Sequence, residues 1–139
     1  MTDREIAHFI ERFEAGTLPK AEWTHEGHLL VALWYLSRHP YDEALAIVRR
    51  RIIAHNEAVG TPNTDAEGYH ETLTRLYLRG VAERLVALGP QPLPDVHAAL
   101  VASPLADREW PLRFYTRGRL FSVEARRGWV APDLGAGAR

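Results

Sequence analysis

Seven histidines stand in a chain of 139 residues that has no cysteine and a single lysine, Lys20. His25 and His28 are three residues apart, a spacing that sets two side chains on one helical face. His70 lies in another segment and is followed by Glu71. Neutral imidazoles are the commonest protein ligands for zinc, iron, nickel and copper. Three such nitrogens with one open position can activate water or bind a substrate. The expected centre is therefore a transition-metal ion (zinc, iron, nickel or copper) held by His25, His28 and His70. Glu71 is the expected general base or fourth ligand. His55, Asn56, Glu67, Tyr69 and Thr74 are expected around it, orienting the ligands through hydrogen bonds. Plainer roles compete: hydrogen-bonded helix-start residues for His25 and His28, a satisfied buried imidazole for His70, a salt bridge for Glu71 and a capping box for Glu67.

The rest of the composition removes other chemistries. Without cysteine there is no disulfide, thiolate zinc site or cysteine nucleophile. No GxxxxGK is present, and none of the three serines (Ser37, Ser103, Ser122) sits in G-x-S-x-G. The net charge of −1 gives no global attraction to nucleic acid or anionic lipid. The longest apolar run, Leu29 to Leu36, is too short to span a membrane. The N-terminus lacks the shape of a signal peptide. A cytoplasmic protein with a small-molecule substrate is expected, with no membrane partner, nucleic acid disfavoured and a homodimer left open.

The elements that must position these residues read as helices. Ile6, Phe9, Ile10 and Phe13 recur at i, i+3, i+4, i+7, predicting a helix over 3–15 that stops at Gly16. A second helix is predicted from about Ala21 to Arg38, apolar nearly all round and hence central. A third spans 41–59 with a seam through Tyr41, Leu45, Val48 and Ile52, and Gly60 follows as its stop. His55 and Asn56 take the next seam position, where an aliphatic residue is the usual occupant. Thr64-x-x-Glu67 matches a capping box, predicting a fourth helix over about 65–88. Short helices follow at 95–102, after Ser103-Pro104, and from Ser122 to Arg127. Residues 131–139 read as a frayed tail. The fold expected is all-α, one domain over 1–139, with a four-helix bundle core and a short-helix C-terminal wrap. Short loops imply antiparallel neighbours, which would bring His25, His28, His55 and His70 to one end, away from His8, His39 and His97.

The C-terminal half carries a second signal. Residues 71–139 hold ten basic and seven acidic groups, against seven and eleven in residues 1–70. Arg113, Arg117, Arg126 and Arg127 are candidate anion ligands, since guanidinium forks grip carboxylates and phosphates. Trp110, Phe114, Tyr115, Phe121 and Trp129 lie among them.

Trp23-Thr24-His25-Glu26-Gly27-His28-Leu29, Asn63-Thr64 with Tyr69-His70-Glu71-Thr72-Leu73-Thr74, and Ala125-Arg126-Arg127-Gly128-Trp129-Val130 with Pro132-Asp133-Leu134 together resemble a family of small uncharacterised bacterial all-helical proteins. That resemblance implies an architecture and no mechanism. A looser one is to DinB-like helical bundles, which implies a metal on three histidines, although a late H-x-x-x-H is missing here. The leading expectation is a metal-dependent enzyme on a small molecule, with hydrolytic and oxygen chemistry not separable. The alternatives are a metal-free binding module for an anionic ligand or partner, and a nucleic-acid-interacting protein using the C-terminal arginines.

Overall fold

A computed structural model describes residues 1–134. The chain is all-α, and no strand occurs among the described residues. Helix α1 spans Asp3–Ala15, with Thr2 and Glu5 forming a reciprocal capping box. It buries Ile6, Phe9, Ile10 and Phe13, the four residues whose periodicity predicts it.

Helix α2 is His25–Leu36, shorter than the expected 21–38. A 3₁₀ turn at Lys20–Glu22 precedes it, and Thr24 is extended, its hydroxyl accepting from the Gly27 amide. That cap sets the start, because a residue in β geometry cannot continue a helix backwards. Leu29, Leu30, Val31, Ala32, Leu33 and Tyr35 are all buried, as an element apolar all round requires. Gly27 is the close-approach point: a Cβ there would lie 3.0 Å from Phe9 Cζ.

Helix α3 spans Tyr41–Ala58 and α4 spans Glu71–Leu88. The start of α4 corrects the expectation. Thr64 Oγ1 does accept from the Ala66 and Glu67 amides, but only a turn follows. Gly68 reverses the backbone at φ +84, and a Cβ there would sit 2.2 Å from Pro62 O. The Tyr69 amide goes to Asn63 Oδ1, not to a helical carbonyl. His70 is then the N-cap rather than an interior residue, with its Nδ1 accepting from the Leu73 amide.

Helices α2, α3 and α4 pack on one another, and α1 and α5 (Leu93–Val101) close over them. Val96 and Leu100 of α5 join the same core, so five helices share it where four were expected. Two 3₁₀ turns, Pro104–Ala106 and Trp110–Arg113, lead into α6 (Arg117–Leu120) and α7 (Val123–Arg127). Each of these short helices is capped by a hydroxyl, from Thr116 and Ser122.

The C-terminal wrap packs on α4 through a second apolar cluster of Leu76, Tyr115 and Leu120 with Trp129 against it. Thr72 fastens it, donating to Gly128 O at 2.8 Å and accepting from the Val130 amide at 3.2 Å. Residues 131–134 are not frayed: Asp133 accepts from the Thr116 amide and hydroxyl, and the Leu134 amide donates to Phe114 O. The remainder of the expected tail, 135–139, lies outside the described residues. No helix among the described residues is long and apolar enough to cross a membrane.

Candidate functional site

Four of the seven histidines are tied to backbone carbonyls one by one. His25 Nε2 donates to Leu105 O at 2.8 Å, and its ring stands edge-on to Tyr77. His28 Nδ1 donates to Thr24 O at 2.8 Å, and its ring stacks on Trp23 with centroids 3.8 Å apart. His55 Nε2 donates to Leu18 O at 2.9 Å from a fully buried position, and its ring contacts Phe13 and Trp23. His70 Nε2 donates to Leu120 O at 2.8 Å. Trp23 thus brings His28 and His55 together, as the topology argument expects. His70 instead faces the C-terminal wrap.

His25, His28 and His70 are not brought together as one set. Among the described residues no three histidine, aspartate or glutamate side chains gather as a metal-ligand set. The reason is explicit at His70. Its Nε2–H is given to a carbonyl and its Nδ1 lone pair takes the Leu73 amide, so neither nitrogen is available to a cation. Burial lowers its pKa, and the two bonds together require the neutral Nε2–H tautomer. These residues do not fit the metal that a DinB-like bundle implies.

Glu71 belongs to a different constellation. Arg49 grips it with a fork, Nε to Oε1 at 2.8 Å and Nη2 to Oε2 at 2.5 Å, and the Tyr69 hydroxyl donates to Oε1 at 2.7 Å. Burial by itself would raise the Glu71 carboxyl. The hydrogen bonds from Arg49 and Tyr69 outweigh it and hold the group below the usual carboxylate range. Burial and the bond to Glu71 both push the Tyr69 hydroxyl up. A carboxylate held below its usual range, with three donors already on its oxygens, has little basicity left for proton abstraction. Its salt-bridge role is the one realised.

That ion pair forms part of the wall of a cleft of about 490 Å³ where α3, α4, α7 and the loop after α3 meet. Four guanidinium groups line it: Arg49, Arg75, Arg126 and Arg127. They differ in what they hold. The fork of Arg49 is spent on Glu71, and that of Arg127 on Asp65 at 2.7 and 2.8 Å. Arg126 gives Nη1 to the carbonyls of Gly68 and Tyr69 at 3.0 and 3.3 Å. Arg75 lies over the Trp129 ring, 5.2 Å from its centroid. Neither Arg75 nor Arg126 is paired with a carboxylate among the described residues.

Other expected residues scatter. Thr74 donates to His70 O inside the first turn of α4, and Asn56 donates to Asn63 Oδ1 at 2.9 Å, bracing the loop. Glu67 is exposed. Arg113 and Arg117 are exposed and outside the cleft, and Arg117 pairs with Glu109 at 3.3 Å. Of the four candidate anion ligands, only Arg126 and Arg127 reach the site. Sequence reading missed Arg49, Asn63, Arg75 and Trp129 as site residues. For Arg49 a signal existed: it lies four residues from both Leu45 and Ile53, on the flank of the buried seam, although the run Arg49-Arg50-Arg51 reads as a solvated face.

No protein-family model, characterised protein or solved structure matches the chain.

Proposed function

We propose that the protein is a binding module for a small anionic ligand, taken into the cleft between α3, α4 and α7. One observation carries the reading. Two guanidinium groups on different elements, Arg75 and Arg126, line one cavity and have no carboxylate partner among the described residues. Charges held in a partly buried wall attract counter-charge more strongly than solvated ones, because water screens them less. The cavity falls within the range of roughly 300–1,000 Å³ that small-molecule sites occupy. Ile53, Tyr69 and Trp129 add apolar surface for the body of an organic anion. A cytoplasmic location fits the lack of cysteine.

Thermal unfolding at low ionic strength tests this. Benzoate, phenyl phosphate and succinate are compared with neutral analogues such as benzamide. At least one anion is expected to raise the melting temperature, with the rise reduced by salt and by Arg126→Gln. If no anion stabilises the protein, the binding-module reading is overturned.

A further inference from the structure

We infer that the cleft takes a phosphate monoester, its phosphoryl group gripped between Arg75 of α4 and Arg126 of α7. The inference rests on the anion-binding reading above and narrows it by a count of charge and of free donors. Four guanidinium groups and two carboxylates, Asp65 and Glu71, line the cavity. Two of the four pair with those two carboxylates through both arms of their forks. The remaining two carry an uncompensated charge of two.

The same two are held in place by contacts that leave most of their donors unspent, Arg75 sharing one hydrogen bond with the Tyr41 hydroxyl. A cation over an indole face is oriented by the ring without giving up its N–H groups, and Trp129 does this for Arg75. Arg126 is anchored through Nη1 alone to two carbonyls of the loop ahead of α4. Each guanidinium has five N–H donors in a rigid fork. The wall is thus pre-organised for a partner with about two negative charges and several acceptor oxygens.

A monocarboxylate would leave one guanidinium uncompensated. A dicarboxylate must match a fixed spacing between two separated charges. A phosphoryl group presents three oxygens around one atom, so it can accept from forks on two elements at different angles. A phosphate monoester carries about −1.5 to −2 at neutral pH, with a second pKa of about 6. Its charge therefore balances the two free guanidiniums above that pH and half of them below it.

Isothermal titration of the full chain at low salt makes the test, with phenyl phosphate, inorganic phosphate, phenylacetate and succinate as probes. At pH 7.5, phenyl phosphate is expected to bind about ten-fold or more tightly than phenylacetate, the worth of one added charge-assisted contact. The advantage should shrink as pH falls through about 6 and the second proton returns. Arg75→Met and Arg126→Gln are each expected to weaken phenyl phosphate by about ten-fold or more, whereas Arg113→Gln, outside the cleft, should leave it unchanged. If either variant fails to fold, Arg75→Lys or Arg126→Lys replaces it. Those keep the charge, lose the fork, and should bind with intermediate affinity. Succinate or phenylacetate binding as tightly as phenyl phosphate would overturn the phosphate assignment while leaving the anion reading intact. Binding of phenyl phosphate that survives every cleft substitution would overturn the site. Failure of all four anions would overturn the anion reading itself.

Discussion

His70 spends both ring nitrogens on backbone groups, and that fixes its charge. A proton added at Nδ1 would face the Leu73 N–H, so the cation loses a cap and gains a repulsion. Burial, the largest cause, lowers the pKa of the group further. The sign follows by linkage. The unfolded chain takes up a proton near pH 6.5 and the folded one only at lower pH, so stability is full above about 6.5 and is lost as pH falls below it. Urea unfolding between pH 7.5 and 5 should show this loss, and His70→Gln should show less of it. A variant whose pH dependence equals the parent's would place the responsible histidine elsewhere. The same residue marks where sequence reading ends. Its type and its neighbour Glu71 suggest metal chemistry, but both of its acceptor and donor partners are backbone groups. Leu120 O lies fifty residues away and is supplied by the last residue of α6, a tertiary pairing that leaves no trace in residue identity.

At the scale of elements, the loop between α3 and α4 decides the site. Asn63 is its hub: Nδ2 donates to Ile53 O, while Oδ1 accepts from Asn56 Nδ2 and the Tyr69 amide. Those bonds aim Tyr69 and Glu71 at Arg49. Thr64 only closes a turn on the exposed rim. Asn63→Ala should therefore cost about 1–3 kcal/mol, since it strands partly buried donors and an acceptor. Thr64→Ala should cost less than about 0.5 kcal/mol, well below the loss of a true helix cap. Equilibrium denaturation of the two variants decides between this hub and a helix beginning at Thr64: the reverse order of effects would restore the latter. The limits of α1 and α3 were legible because periodicity and a stop residue are local signals. The start of α4 was not, because Thr64-x-x-Glu67 satisfies the local pattern while Gly68 and the tertiary bond from Tyr69 to Asn63 cancel it. Likewise the union of Arg49 with Glu71, twenty-two residues apart, follows only from how α3 meets α4.

For the whole molecule, the cleft exists because the C-terminal wrap is laid against α4. One side of it is α3 and α4, and the other is Arg126, Arg127, Gly128 and Trp129. Thr72, fully buried, is the fastening between the two. Its hydroxyl donates to Gly128 O and accepts from the Val130 amide, and Tyr115 reinforces the same stretch by donating to Val130 O at 2.7 Å. Thr72→Val keeps shape and volume but strands that carbonyl and that amide, a loss of about 1–3 kcal/mol. The main core, built from α1 to α5, does not depend on this bond. The loss should therefore fall on the wrap first, as a local opening rather than a global one. Hydrogen exchange reads the difference. Thr72→Val should speed exchange at the Val130 and Leu134 amides while the α2 amides keep their protection, and anion binding should weaken with it. Thr72→Ser, which keeps the hydroxyl, should restore slow exchange at Val130. If exchange in α2 rises in step with Val130, bundle and wrap unfold as one unit, and the cleft cannot open without losing the fold.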